Sequence, residues 1–476
     1  MATTFYFYDL ETSGFNPRSA RIMQFGGQRT DMALKPIGEP DNILVRLSED
    51  VLPDPDAVLV TGITPQTTRS EGITEAEFVK YLTSQVFRPG TIAVGFNNIR
   101  FDNEFIRFTL WRNFCDAYEW QWKDDRATWD LLDAVRMTRA LRPEGIQWPF
   151  APDGKPSNRL ELLSSVNKLD HSSAHDALSD VRAVISLAEL LRLKQSKLFD
   201  YLLNLRDKTK VAAFVTKGHP LVYTSGRYPS EYEKTTVAVM VAAHPGKSAA
   251  LMYDLRINPE PYTTMTPAEL AAKWSLRGKD APYFPVKVLS YNRSPAVAPL
   301  SVLDAKSTVR LKIDSKGIDK NFNKLKAAAD FGDKLVVAME IMHPKKQENL
   351  VTNEQKVDEQ LYDGFVPSAD KSKMSLVRAA NPQQLADLDP DFADERLVNL
   401  LRLYKARNYP ASLTTDDQEW WEKFRRQRLL SGGEASRAAL YFKRLEELSL
   451  RPGLKSDDKY LLEELKLYGQ SVIPDF

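Results

Sequence analysis

Two carboxylates one residue apart, Asp9 and Glu11, close the aromatic run Phe5-Tyr6-Phe7-Tyr8, and Thr12-Ser13-Gly14 then bends the chain. On a strand, alternate side chains share a face, so both acids point the same way, about 7 Å apart. Such a pair repels itself unless a cation lies between. Hard oxygen ligands approached from one side suit Mg²⁺ or Mn²⁺. Three further residues have the types to complete the chemistry. Asp102 follows the apolar stretch 91–96 at the start of a helical segment, Asp180 lies in the helical segment 176–192, and His175 stands in the turn ahead of that helix. In an α/β sheet, strand ends and helix starts converge on one crevice. Carboxylates gathered there are unstable without divalent metal, and two ions about 4 Å apart would form a clamp for in-line attack on a phosphodiester. A histidine, with an unperturbed pKa of about 6.5, can take the proton of the attacking water. Singly, Asp102 could cap its helix, Asp180 could be a surface acid and His175 a loop residue. The weight lies in the joint pattern.

The elements that must position these residues are legible from periodicity and punctuation. After the first strand, 22–31 and 43–47 are expected to continue an antiparallel start to a sheet. Thr64 and Pro65 mark one helix entry, and Thr74 with Glu77 forms a capping box for another that runs to about residue 86. The stretch 91–96 has the continuous apolar character of a buried strand, and a helix follows to about residue 114. Helices are expected at 129–141, 158–167 and 176–192, with a Pro/Gly-punctuated loop at 142–156. The next portion starts helical and turns strand-rich, with strands expected at 211–215, 221–224, 236–242, 250–255, 285–291 and 334–341. Helices at 266–274 and near 320–329 interrupt them. Beyond about residue 345 the periodicity is helical, at 395–407, 416–430, 435–449 and 457–469. The expected architecture is α/β and multidomain, divided as 1–195, 196–345 and 346–476.

Composition bounds the function classes. The 476 residues suffice for several domains with sizeable cores, and 43% hydrophobic with 27% charged content is ordinary for a globular protein. Lys and Arg total 65 against 64 Asp and Glu, a formal net charge of +1, so attraction to nucleic acid must come from local basic surface. Cys115 is the only cysteine, which excludes an internal disulfide framework and suits a reducing compartment. No apolar run reaches about 18 residues, so no membrane span is expected, and a cytoplasmic protein is. Trp111, Trp120, Trp122, Trp129 and Trp148 could stack bases, although core packing is the plainer expectation for most. The basic stretches 312–326 and Arg425-Arg426-Gln427-Arg428 could contact phosphates or simply be solvated faces.

The spacings Asp9-x-Glu11, Asn98-x-x-x-Asp102 and His175-x-x-x-x-Asp180 resemble, in order, the motifs of the DEDDh group of 3′→5′ exonucleases. Further segments are similar to the bacterial exonuclease I family: Thr61-Gly62-Ile63-Thr64-Pro65-Gln66, Ala140-Leu141-Arg142-Pro143-Glu144-Gly145, Leu198-Phe199-Asp200-Tyr201, Gln360-Leu361-Tyr362-Asp363-Gly364-Phe365 and Tyr404-Lys405-Ala406-Arg407-Asn408-Tyr409-Pro410. The resemblance implies an RNase H-like exonuclease domain with a mixed sheet and helices, an SH3-like β domain with added helices, and a C-terminal helical domain, enclosing a single DNA strand. It implies processive digestion of single-stranded DNA from the 3′ end to 5′-mononucleotides, in DNA repair and recombination, with two Mg²⁺ ions or Mn²⁺ in their place. Carried over by motif, Asp9, Glu11, Asp102 and Asp180 are metal ligands and His175 is the general base. Thr12, Asn98, Phe101 and Arg159 are candidate substrate contacts. Arg142 and Tyr201 are candidates for docking the C-terminal tail of single-stranded-DNA-binding protein. A monomer is the expectation. Two other readings keep the same five residues: a DEDDh exoribonuclease trimming RNA 3′ ends, and a non-catalytic single-strand-binding scaffold. The motifs outside the first domain favour DNA over RNA, and the presence of every acid disfavours the scaffold.

Overall fold

The computed structural model describes residues 2–169, 176–278, 281–343 and 353–474. The strand that carries Asp9 and Glu11, β1 (Thr4–Thr12), is the middle of a five-stranded sheet. β2 (Ile22–Thr30) and β3 (Asp41–Leu44) extend it antiparallel on one side. β4 (Thr91–Gly95) and β5 (Ala127–Asp130) extend it parallel on the other, so the order is β3-β2-β1-β4-β5. Alternation along β1 sorts its side chains cleanly. Tyr6, Tyr8 and Leu10 enter one core with Phe25 and Phe78, while Phe5 and Phe7 enter another. Each fully buried ring of this kind contributes roughly 1.5–3 kcal/mol by leaving water. Asp9 and Glu11 share the parity of Phe5 and Phe7, and that face is covered by the long helix Ala177–Asn204.

The helices of this first part follow their caps. α1 (Pro55–Thr61) is capped by Asp54, and α2 (Pro65–Glu71) starts with the Thr64 hydroxyl accepting the Thr67 amide at 3.1 Å. α3 (Glu75–Tyr81) has the Thr74–Glu77 capping box and runs on in wider turns to Val86. α4 (Asp102–Arg112) packs Phe105, Ile106 and Leu110 on the Tyr6–Tyr8 face. α5 (Leu131–Leu141), α6 (Leu160–Asn167) and the long α7 (Ala177–Asn204), bent at Gln195, cover the opposite face. None of the helices among the described residues is long and apolar enough to cross a membrane.

A second sheet follows α8 (Lys208–Val215). It comprises β6 (Leu221–Thr224), β7 (Thr235–Ala243), β8 (Ala249–Asp254), β9 (Val286–Ser290) and β10 (Ala296–Pro299), antiparallel throughout in the order β10-β6-β7-β8-β9. One face joins the core of α5 and α7 through Val222, Ala238, Ala250 and Val297. The other is covered by the helices Pro267–Ser275, Ser315–Ala327 and Phe331–Met342. The remaining chain is helical, in Ser368–Ala379, Glu395–Asn408, Thr415–Leu430, Arg437–Ser449 and Ser456–Val472. It docks on α4 and the turn after it through Trp111 and Phe114 against Leu400 and Tyr404, and on α1 through Val58 against Leu445 and Leu465.

Four sequence expectations are corrected. Residues 208–215 form a helix, with Val211 and Val215 buried four apart and the Asp207 carboxylate accepting the Thr209 amide at 2.9 Å. Residues 331–342 are also a helix: Phe331, Leu335, Ala338 and Met339 are its buried side, at helical spacing that the β-branched pair Val336-Val337 disguised. Residues 127–130 are a strand, so the helix expected from 129 begins at Leu131. Arg425 and Arg428 are neither phosphate contacts nor a solvated face; both are buried.

Arg428 belongs to an ionic cluster between the first and third parts. Asp358 accepts from Arg21 at 2.6 Å, Arg407 at 2.9 Å and Arg428 at 3.1 Å, and Asp50 from Arg407 at 2.6 Å. Both carboxylates are wholly buried. Burial alone would raise their pKa values; the guanidiniums outweigh it and hold both well below the usual carboxylate range.

Candidate active site

Asp9, Glu11 and Asp180 each place a carboxylate oxygen within 4.8 Å of the others. Local sequence brings them there. β1 presents the two strand acids on one face, and a bulge follows at once: Glu11 pairs with Gln24 but Thr12 with Ile22, so regular pairing ends beside the acids. Opposite Asp9 on β2 stands Gly26, where a Cβ would lie 2.5 Å from the carbonyl carbon of Ala177. Only glycine lets the start of α7 cross the strand that closely. Gln24 fixes the crossing. Its Nε2 donates to Asp176 at 3.0 Å and its Oε1 accepts the Ala177 amide at 3.4 Å. Asp176 caps α7 by accepting the Ser179 amide at 3.1 Å, and Asp180 follows in the first turn, facing the strand acids.

Asp102 approaches from the other side. At the end of β4, a Cβ on Gly95 would sit 2.7 Å from that of Asn98, so glycine lets Asn98 fold beneath the strand end. The Asn98 carbonyl accepts the Asn103 amide at 2.8 Å, and Asp102 opens α4. The Leu10 amide, between the two strand acids, interacts with the Asp102 carboxylate, which places Asp102 beside them. Its oxygens lie outside the mutual 4.8 Å set, which among the described residues comprises Asp9, Glu11 and Asp180.

The electrostatics are those of a cluster of like charges in a buried setting. Burial, then Asp102, Asp180 and Glu11, push Asp9 well above the usual carboxylate range. Burial, then Asp180, Asp102 and Asp176, push Glu11 up to about 8. Burial and Asp130 push Asp102 up to about 7, against its own amide and that of Leu10. The charges acting most strongly on Asp9 and Glu11 are all carboxylates. An all-oxygen donor set, crowded and without a cationic side chain among those charges, fits a hard divalent cation.

A pH dependence follows for the metal-free protein. Groups whose folded pKa exceeds the unfolded value of about 4 favour the folded state while protonated, and that stability is lost as pH rises through the folded value. The EDTA-treated protein is therefore expected to lose melting temperature between about pH 4.5 and 8, the range spanned by Glu11 and Asp102. Asp9→Asn should flatten the slope, and excess Mg²⁺ should restore the loss at pH 8. Differential scanning fluorimetry across that range, with and without Mg²⁺, checks it.

The other anticipated residues fall as follows. His175 lies outside the described residues. The Thr12 hydroxyl is turned into its own bend, donating to the Gly14 carbonyl at 2.9 Å. Asn98 is wholly buried, and its backbone carbonyl, accepting the Asn103 amide at 2.8 Å, ties it into the turn ahead of Asp102. Phe101, half-buried, holds its ring 4.9 Å from that of Phe105, and Arg159 is exposed at the start of α6. Arg142 ends α5; it donates to the Val302 carbonyl at 2.8 Å and lies 3.6 Å from Asp304, bridging to the second sheet's part of the chain. Tyr201 is half-buried on α7 beyond its bend. Trp111, Trp120 and Trp129 are core, Trp148 is half-buried, and Trp122 is 63% exposed.

Sequence reasoning missed Asp130. Its Oδ1 accepts the Asn97 amide at 2.9 Å and the Leu132 amide at 3.0 Å, tying the turn after β4 to the cap of α5. The signal was an acid at the end of the run Ala127-Thr128-Trp129, hidden by the helical periodicity that follows. Gln24 and Gly26 were missed because their role is a close approach between distant segments.

Family models match in the same order as the structural parts. "Exonuclease" covers residues 6–188, "Exonuclease I SH3-like domain" residues 206–340 and "Exonuclease I C-terminal domain" residues 355–472. The exodeoxyribonuclease I of Haemophilus influenzae is 36% identical over 474 residues, covering 98% of each chain. A solved structure of Escherichia coli exonuclease I in complex with a dA16 oligonucleotide superposes with a TM-score of 0.92 at 36% identity, over 99% of this chain and 100% of that one. Another, of SSB/exonuclease I in complex with an inhibitor, has a TM-score of 0.89 at 35% identity with the same coverage. The fold is thus an RNase H-like exonuclease domain, an SH3-like domain and a helical C-terminal domain, with acids clustered where β1 and α7 meet, and the chain belongs to the exonuclease I family.

Proposed function

We propose that the protein removes 5′-mononucleotides processively from the 3′ end of single-stranded DNA by two-metal hydrolysis, in repair and recombination, with domains at 1–195, 196–345 and 346–476. The observation that carries this reading is the mutual approach of Asp9, Glu11 and Asp180 in a buried, all-carboxylate setting. The oligonucleotide complex of the Escherichia coli relative supports the substrate class. Asp9, Glu11 and Asp180, with Asp102 beside them as the fourth ligand, would hold divalent cations, and Mg²⁺ is the ion their oxygen donors suit. Bound ions would neutralise the scissile phosphate and activate the attacking water. His175 accepts the proton of that water on an imidazole nitrogen. Thr12, next to the strand acids and with its hydroxyl donating to the Gly14 carbonyl, would touch the terminal nucleotide. Phe101 and Arg159 offer a ring and a cation to the strand, while the Asn98 carbonyl holds the turn that sets Asp102.

Digestion of 5′-labelled and 3′-labelled single-stranded DNA and RNA tests the reading. A 3′ label should leave as a mononucleotide at the earliest times, from DNA and not from RNA. Early release of a 5′-labelled mononucleotide would overturn the polarity, and faster loss from RNA would overturn the substrate. His175→Ala should slow hydrolysis by about 10²–10⁴-fold, with the defect shrinking as pH rises because hydroxide replaces the base. A rate–pH profile of wild type and variant checks this.

The SSB complex of a relative supports a docking role for Arg142 and Tyr201 toward the acidic, apolar-ended tail of that partner. The Arg142 side chain stays 36% exposed despite its contacts with Val302 and Asp304. A guanidinium fork can take a terminal carboxylate, and a ring beside it an apolar side chain. Arg142→Ala is expected to weaken binding of a labelled tail peptide at least several-fold in fluorescence anisotropy, with little change on naked DNA.

A further inference from the structure

Directly after the acid-bearing strand, the bend at Ser13-Gly14 forms one wall of a cleft of about 640 Å³. The opposite wall comes from the C-terminal part, through Lys356, Glu359 and the helix Arg437–Ser449. Its volume lies in the range of small-molecule sites.

Two features of the lining are unusual for an idle interdomain gap. The first is Phe15, held 75% exposed at the cleft. The backbone on either side of it is braced. The Ser13 amide donates to the Arg21 carbonyl at 2.9 Å, the Asp54 amide donates to the Ser13 carbonyl at 2.8 Å, and the Asn16 carbonyl accepts the Ala20 amide at 2.8 Å. An aromatic ring on a fixed bend, facing water, is a ready stacking platform. The second is the charge. Lys356, Arg437 and Arg444 line the cleft against Asp54 and Glu359. Arg444 is engaged with Asp56 at 2.6 Å and Arg437 with Glu359 at 3.1 Å, whereas Lys356 is exposed with no ion pair among the described residues. The Asp54 carboxylate caps α1. A free ammonium and a singly engaged guanidinium thus share the cleft with the exposed ring.

A flat ring for a base and cations for a phosphate are the chemistry of a nucleotide, and the cleft adjoins the bend that follows the hydrolytic acids. We infer that it binds a nucleoside 5′-monophosphate, with the base on Phe15 and the phosphate at Lys356 and Arg437, as a holding site for released product outside the acid cluster. The assignment of the ligand as product rests on the proposed exonuclease activity.

The test is calorimetric titration of the full-length protein with dAMP in EDTA. Without divalent cation the acid cluster repels phosphate, so binding there does not contribute. Deoxyadenosine and inorganic phosphate serve as single-arm probes. One saturable dAMP site is expected, weakened roughly 5- to 150-fold by Phe15→Ala, the range for losing a stacked base. It should weaken likewise in Lys356→Ala, with each single-arm probe binding more weakly than dAMP. Both substituted residues are exposed, so the melting temperature should be unchanged. Absence of dAMP binding in EDTA, or equal affinity in wild type and both variants, would overturn the inference. Strand digestion without such binding refutes only the cleft. Binding without digestion keeps the cleft and refutes the proposed activity.

Discussion

Asp9→Ala and Asp180→Ala are each expected to reduce hydrolysis of single-stranded DNA on the order of 10³-fold or more, while the protein stays folded. Charge stabilisation by bound metal amounts to several kcal/mol of barrier, and about 1.4 kcal/mol is tenfold in rate. Either change deletes one of the three carboxylates that approach within 4.8 Å. The fold should survive because the cluster is strained without metal. Burial and like charge push Asp9 and Glu11 upward, so removing one acid relieves repulsion. Initial rates in Mg²⁺, with melting temperatures measured in EDTA, check both halves: the rate collapses and the metal-free melting temperature stays level or rises.

The second large effect concerns stability. Asp358→Ala is expected to destabilise the protein by about 3–5 kcal/mol, the cost of leaving buried charge uncompensated. Asp358 accepts from Arg21, Arg407 and Arg428, and none of the four side chains is more than 6% exposed. Asp50 remains as a partner for Arg407 at 2.6 Å and Arg428 at 3.3 Å, but Arg21 loses its carboxylate. Because Arg21 belongs to the first part and Asp358 to the third, the variant should also loosen their docking. Denaturant unfolding gives the energy, and limited proteolysis reports the loosening as faster cleavage near the docking seam. By contrast, Glu447→Ala removes a carboxylate from an exposed pair with Arg444 and should leave stability nearly unchanged.

Local rules carried most of the site. Period-two alternation from Phe5 to Glu11 put both acids on one face, and the cap residues Thr64 and Thr74 marked helices that stand where expected. Asp102 and Asp180 were legible because each stands near a helix start. What escaped was set by distant contacts. The approach of Ala177 to Gly26 depends on two segments far apart in the chain, and nothing in a Gly-Gly pair within a strand names its partner. Residues 211–215 and 334–341 looked like strands because short apolar runs have no clear period; the four-residue spacing of their buried side chains shows only once the helices 208–215 and 331–342 are packed. Arg425 and Arg428 looked like surface cations because Asp50 and Asp358, which draw Arg428 inward, are more than sixty residues away.

The most direct measurement is the binding of Mn²⁺ to wild type and Asp180→Asn by titration calorimetry at neutral pH. The change keeps the shape of the side chain and removes its charge from the cluster. The structure predicts that wild type binds the ion with release of protons, because Glu11 and Asp102 are held up to about 8 and 7 before metal arrives. It predicts that Asp180→Asn binds at least ~10-fold more weakly, the loss expected on removing a charged ligand. Equal affinity and equal proton release in the two proteins would contradict the assignment of Asp9, Glu11 and Asp180 as the metal site of this exonuclease.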